Sequence, residues 1–521
     1  MSFEKSKCSF LNKTKLKEEQ VSLDCIINGA SKSEIQQVLW INADAQIDSA
    51  EPLTKEVVIS GKANVELLCL DKENKLQTIK TNIPFLTKSL DDCICPTSKI
   101  NIVTEIADCD FDFDSSKANI VVEFSIEAIN FDEIEILNGA DENICIKEEE
   151  ISSQRLVKDD CVDFNEEIEL SFNEEVEKIL SISSDVIVKN IDVGNNFIAL
   201  QGDIQTKIFY CKEEENHKIY SYVLTESFKR EIEAEGVNEQ CKIDVFACVK
   251  NDNLSYEKVE NEENSCKFVI TVPINVCYIA IEEINIPCAV DIFALKNNLE
   301  IVTNSYQKSI VYEPIHLENK IEGSVTLSED EPRIDKICGV SKGYLKTTNK
   351  YIKDGELYIE GVLVTQIVYL NDEIQDLCSI KKEIPFVINE KINQDISNDC
   401  CVFLRTFLLD VDATARRGRE IFIDAKIKVC AKLFKVENGG VITDAIMGEP
   451  LMPKEEAIEI YFGKKGDDLW QIAKDLRTQL NIILEQNPDI SNPLEENKNI
   501  VIYHQKIPTS TSILSKKDYD F

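Results

Sequence analysis

The chain has 521 residues, and 57 basic against 95 acidic side chains give a formal net charge of −38. At about 150 residues per domain this length implies three or four compact units, and an apolar fraction of 43% implies that most of the chain folds. The charge excludes nucleic acid and direct membrane insertion from the expected partners, because affinity for phosphate and anionic lipid comes from Lys and Arg.

The first residues, Met1-Ser-Phe-Glu-Lys-Ser-Lys-Cys8, lack the apolar core of about 7–15 residues that a secretory signal carries, and no later apolar run approaches the ~18 residues that span a bilayer. A cytosolic protein is expected. The strongest pattern surrounds Gly61 and recurs around Gly202 and Gly361. Counted from each glycine, the even positions carry Val57, Ile59, Ala63, Val65 and Leu67, then Ile198, Leu200, Ile204, Thr206 and Ile208, then Leu357, Ile359, Leu363, Thr365 and Ile367. A period of two predicts a strand. In the first two copies the odd positions are polar, as in Lys62, Asn64 and Glu66 or Asp203, Gln205 and Lys207, which predicts one face on a core and the other in water.

The flanks of the glycine strands repeat as well. Val38-Leu39, Ile179-Leu180 and Ile337-Cys338 lie upstream, and Phe85, Phe228 and Phe386 lie downstream. Paired strand-like runs close each copy, at 101–113 with 119–131, 241–250 with 267–279, and 401–410 with 420–434. The expectation is a mainly β protein with three tandem all-β repeats, each a sandwich or open barrel, at 26–140, 155–290 and 300–440. The glycines should mark a bulge or a close backbone approach. Glu148-Glu149-Glu150 and Glu213-Glu214-Glu215 read as solvated loops, and Arg416-Arg417-Gly418-Arg419 as an exposed hairpin turn.

After Val441 the pattern breaks at Gly448-Glu-Pro450 and Pro453, and a small α+β unit is expected from Lys454 to about His504, with its domain bounds placed at 456–505. Glu459-Ile-Tyr-Phe462 alternates as a strand, and Gly463-Lys-Lys-Gly466 is a turn. Asp468 and Gln471 have the spacing of a capping box at the start of a helix striped by Leu469, Ile472, Ala473 and Leu476. Thr478 is placed to cap a second helix that Asn487-Pro488 ends, and Ile500-Val-Ile-Tyr503 returns as a strand, giving a β-α-α-β order.

Catalytic chemistry finds no foothold. His217, His316 and His504 fall in different units, which removes the commonest member of triads and general-base schemes. The 19 cysteines lack the paired spacing of zinc sites and are expected as small buried thiols. No catalytic residue, metal site or cofactor is expected.

The glycine strands, with Pro84-Phe85 and Pro385-Phe386 downstream, resemble the SPOCS domain of spore coat and spore envelope proteins. Tyr461, Gly466-Asp467, Leu469-Trp470-Gln-Ile-Ala473, Leu484, Asn487-Pro488 and the closing apolar strand resemble a LysM domain. That second resemblance implies a shallow groove carried by Lys465, Gly466, Asp467, Asp468, Leu469 and Trp470 on one side and Asn487, Pro488, Asp489 and Ile490 on the other. LysM domains take N-acetylglucosamine-containing glycans in this groove. Here Asp468 stands where the family has Thr or Ser, and Asn497-Lys498-Asn499 stands where it has Gly, so the acidic loop is better placed to hold a protein. Three β repeats followed by one LysM resemble spore coat morphogenetic proteins of the SipL type. What this implies is a non-enzymatic scaffold in the mother-cell cytoplasm, at the forespore surface and in the spore coat. Its LysM would engage the morphogenetic ATPase of the coat's base layer, and its repeats would contact other coat proteins. The alternative is a spore envelope protein that binds peptidoglycan through the LysM groove.

Overall fold

The computed structural model describes residues 3–172, 176–212, 218–259, 266–373, 375–392, 396–452 and 457–503. The Glu213 run, His217, Pro453, Lys454, residue 456 and the segment from His504 onward lie outside the described residues. Nearly everything described is antiparallel strand, as the period of two requires.

The first repeat holds β1 (Phe3–Lys15), β2 (Glu19–Ile26), β3 (Ile35–Leu53), β4 (Glu56–Asp71), β5 (Leu76–Leu90), β6 (Lys99–Asp112) and β7 (Lys117–Ala140). The second holds β8 (Ile144–Phe172), β9 (Lys178–Gly194), β10 (Phe197–Cys211), β11 (Tyr220–Glu233), β12 (Cys241–Val249), β13 (Ser255–Val259) and β14 (Cys266–Ala294). The third holds β15 (Asn297–Val311), β16 (Ile315–Thr326), β17 (Ile334–Val340), β18 (Tyr344–Lys353), β19 (Glu356–Asn371), β20 (Leu377–Lys391), β21 (Cys401–Arg416) and β22 (Glu420–Pro450). In each, a sheet centred on the glycine strand (β4, β10 or β19) faces a second sheet centred on a long closing strand (β7, β14 or β22). Each repeat is thus a sandwich. The even positions of the glycine strands are all buried in the cores between these sheets.

The glycines do both things expected of them. Gly61, Gly202 and Gly361 pair with Phe85, Phe228 and Phe386 across the ladder, and each lies beside a register shift toward its other neighbour. A methyl group at Gly361 would sit 2.6 Å from both the Phe386 ring and the Lys346 carbonyl oxygen, and Gly61 and Gly202 are blocked in the same way. The aromatic ring fills the space that a side chain would occupy, so only glycine fits at this position.

The closing strands run much further than the sequence suggests. Beyond the sandwich, β7 pairs with β1, β14 with β8 and β22 with β15, forming three two-stranded ribbons. The ribbons share a bulge at Asn138, Val290 and Thr443. Just before it, Ile136, Cys288 and Val441 pack with Cys8 and Phe10 in one cluster, and Leu137, Ala289 and Ile442 pack in the next. The break expected after Val441 therefore does not occur, because burial between ribbons carries β22 to Pro450. The Glu148 run is likewise exposed but belongs to strand β8 rather than a loop. The Arg416 run does form a hairpin turn, with Arg417 and Gly418 at positive φ.

Water is not what meets the second face of the glycine strands. Asp203, Gln205 and Lys207 are buried and Lys62, Asn64 and Glu66 half-buried, because each repeat lays this face on the next. Lys62 of the first reaches Asp252 of the second at 2.6 Å, Lys207 of the second reaches Asp410 of the third at 3.4 Å, and Lys381 of the third reaches Asp110 of the first at 2.8 Å. Three such contacts close a ring. At one end of the ring Leu39, Trp40, Leu68, Leu180, Phe209, Cys338 and Val368 form a shared apolar cluster, with the Trp40 and Phe209 rings 5.5 Å apart.

An ion cluster also joins all three repeats. Asp244 is bonded by both Lys13 and Lys432, and Lys13 lies 3.5 Å from Glu127. Burial alone would raise the Asp244 pKa, but the two lysines outweigh it and hold the carboxyl below its ordinary range. Burial alone would lower that of Lys13, yet Asp244 and Glu127 push it up to about 12. The Asp244 contribution is therefore complete at neutral pH and lost as pH falls through its lowered pKa, while that of Lys13 persists until pH rises through about 12.

The cysteines give one correction. Cys161 and Cys277 face each other across β8 and β14 with Cα atoms 4.1 Å apart, and they form a disulfide. Their separation of 116 residues hides this pairing from any spacing rule. The other cysteines form no disulfide; Cys8, Cys69 and Cys338 are among those buried as expected, while others such as Cys25 and Cys401 are half-buried.

Asp244→Leu removes the shared carboxylate and leaves the buried Lys13 and the half-buried Lys432 without it. The expected loss of unfolding free energy is about 3–5 kcal/mol, measured by denaturant titration; a loss below ~1 kcal/mol would show that the cluster does not hold the repeats together.

Candidate functional site

The C-terminal unit consists of β23 (Ile458–Gly463), α1 (Leu469–Leu476), α2 (Leu480–Gln486) and β24 (Lys498–Tyr503), with β23 and β24 antiparallel. Leu469, Ile472, Ala473, Leu476 and Ile483 pack with Ile500 and Ile502 into a small core, as the helix stripe requires. Asp468 caps α1 by accepting the Trp470 backbone N–H at 3.1 Å. That bond, with help from Lys147, holds the Asp468 pKa below its ordinary value. The capping box is only half made, because Gln471 turns away to donate to Asp475. Thr478 is buried and not the cap of α2, whose N-cap is Gln479.

The structure distributes the expected groove residues among different tasks. Lys465 and Gly466 are exposed, and Gly466 adopts the positive φ of 94° that glycine permits. Asp467 accepts the Lys464 N–H at 2.8 Å, which closes the turn. The backbone of this loop bonds to Leu494, Asn492 and Asn497. Leu469 is core. On the other side, Asn487 donates to Ile483 and Val501 carbonyls and accepts the Val501 N–H at 2.9 Å, so its amide is spent on tying α2 to β24. Pro488 and Asp489 are exposed, and Ile490 packs against the core.

Trp470 points to a neighbour that sequence reasoning missed. Its indole Nε1 donates to Asp291 at 2.8 Å, and its ring meets Phe293 edge-on with centroids 5.1 Å apart. Lys474 also bonds Asp291, at 2.7 Å, Arg477 donates to the Ala294 carbonyl, and Lys147 lies 3.4 Å from Asp468. The unit is therefore docked on the tip of the β8–β14 ribbon. Burial alone would raise the Asp291 pKa; the Lys474 and Trp470 bonds overcome it and hold the carboxyl low. Counting from the shared bulge, Gly139 and Asp141 stand in the first ribbon where Asp291 and Phe293 stand in the second, and Asp444 and Ile446 stand there in the third. The second tip alone carries both the acid and the aromatic ring.

Among the described residues nothing covers the outer face of β23–β24. Ile458, Ile460 and Phe462 alternate along it at 53%, 51% and 74% exposure, with Tyr503 beside Ile458 at 57%. The described histidine, His316, has Nδ1 3.2 Å from the Cys430 Sγ, and burial lowers its pKa. Among the described residues no cluster of His, Cys, Asp or Glu is placed to hold a metal ion, and no helix is long and apolar enough to cross a membrane.

Comparison with known families falls on the repeats. Residues 34–114, 175–257 and 333–416 match the SipL, SPOCS domain. Each SPOCS match begins just before the first strand of the glycine sheet, or within a residue of it, and takes in β6, β12 or β21. It leaves out the closing strands and the ribbons. The three matched segments make the repeats similar to the SPOCS domain of SipL, a family tied to sporulation. No curated protein and no solved structure matches the chain.

Asp291→Ala removes the acceptor shared by Trp470 and Lys474, at an expected cost of about 1.5–3 kcal/mol to the docked state. With Trp40 buried at the ring and Trp470 the one other tryptophan, the emission spectrum should shift to the red; an unchanged spectrum would place the docking energy elsewhere. Because the Asp291 pKa is lowered, this contact is complete at neutral pH and weakens only as pH falls through that depressed value.

Proposed function

We propose that this protein is a non-enzymatic scaffold of spore coat assembly. On this reading the C-terminal unit is a LysM domain that engages the coat's base-layer ATPase at the forespore surface, in the mother-cell cytoplasm. The SPOCS repeats form the rigid body that holds the unit in place and contacts other coat proteins. The observation that carries a protein partner over a glycan is the uncovered sheet face. Ile458, Ile460, Phe462 and Tyr503 form a continuous apolar strip on a small module, and such strips mark protein contacts. Two of the residues that would serve a sugar are otherwise engaged, since Asn487 ties α2 to β24 and Trp470 is bonded to Asp291.

The test uses the full chain carrying Ile460→Glu and Phe462→Glu, both at exposed positions, so that the fold is kept. Capture of the base-layer ATPase should weaken at least about tenfold, since anchors of this kind are worth ~2 kcal/mol or more. Wild-type capture by the double variant would move the contact off this sheet face, and sedimentation of the unaltered chain with purified peptidoglycan and no retention of the ATPase would favour the glycan-binding alternative.

A further inference from the structure

A cavity of about 580 Å³ lies where the three repeats meet, and all three contribute to its wall. Its size is that of a small-molecule site rather than a single ion. Asp44 and Asp185 occupy the same place in successive repeats, paired across the ladder with Asn64 and Gln205, each three residues past the repeat glycine. The other charged groups of the wall are mostly committed. Glu105 accepts from Thr347 and Thr406, Lys250 is bonded to Asp163, and Arg405 donates to the Ala247 carbonyl while packing on Phe246 and Phe407. Asp48 lies 3.9 Å from Lys62, which leaves Lys342 facing Asp44 and Asp185. Asp44 Oδ1 and Gln46 Oε1 are buried without a well-formed hydrogen bond, and the Asn64 amide beside Asp44 is the one polar group that helps it, so the site offers mainly acceptors and an excess of negative charge. Burial pushes the Asp44 carboxyl up against the pull of Lys342, as it would for an acid short of a counter-charge.

We propose that this cavity binds an aliphatic polyamine, whose ammonium groups donate to Asp44 and Asp185 while its methylenes lie along Ile47, Ile106 and Phe246. The ligand class follows from the wall. Acceptor oxygens separated by apolar side chains fit a chain of methylenes with charged donors at intervals, and bring a buried carboxylate the donors it otherwise lacks. A polyamine bound here would touch residues of all three repeats and so bind only the closed ring, which it would stabilise.

Titration calorimetry of the full chain with spermidine at physiological ionic strength tests this. An acidic surface binds polyamines at many weak sites that salt screens, whereas the cavity should give one saturable site per chain. Asp44→Asn keeps the shape and removes the charge, and should weaken that site at least about tenfold. Asn64→Asp adds an acceptor charge and should tighten it, as should Lys342→Gln by removing the competing cation; these two variants carry the test even if Asp44→Asn does not fold. Absence of a saturable site in the unaltered chain, or one with the same affinity in every folded variant, would overturn the proposal.

Discussion

A lysine of each repeat that reaches an aspartate of the next is the contact on which the architecture depends. The glycine strand of each repeat is buried on one face by its own sandwich and buried or half-buried on the other, which one sandwich cannot cover. The second face of β10, with Asp203, Gln205 and Lys207, is covered because the third repeat lies on it and supplies Asp410. Taken around three repeats, this head-to-tail contact closes on itself. Closure gathers Trp40, Phe209 and Val368 at one end, the ribbons at the other, and the Asp244 cluster and the polar cavity between. A repeat on its own would leave these surfaces in water, so folding of one repeat is coupled to the others.

Much of the sandwich was legible in the sequence because its signals are local. Period-two burial, the glycine opposite a phenylalanine and the paired closing strands each follow from residues on neighbouring strands. The ring was not legible, because the residues that close it look like ordinary surface. Lys62, Asp203 and Lys207 are charged residues at outward positions, and only a second body turns such positions inward. The ribbons were missed for a related reason. Gly448 and Pro450 read as breakers, yet they lie within a strand whose apolar face is buried by two other ribbons. Cys161 and Cys277 are joined through register, which spacing cannot reveal.

At the C-terminal unit the helix cap and small core were readable from Asp468 and the stripe of Leu469, Ile472, Ala473 and Leu476. The docking partner was not, since Asp291 and Phe293 look like any strand residues until the shared bulge shows that the other two ribbons lack the pair. Docking gives the unit a defined orientation on the ring and commits one side of α1 to the interior of the protein. The sheet face of Ile458, Ile460 and Phe462 points elsewhere and is left to other molecules. A module held in this way suits a scaffold, which has to present a binding face from a body that does not yield.

Hydrogen exchange on the intact chain measures the central coupling most directly. If the ring is one cooperative body, amides of the three glycine strands, β4, β10 and β19, should exchange only through a common opening of nearly equal free energy and lose protection together as denaturant is added. Three distinct opening free energies, with one strand exchanging freely while another remains protected, would contradict a closed ring and leave three independent sandwiches.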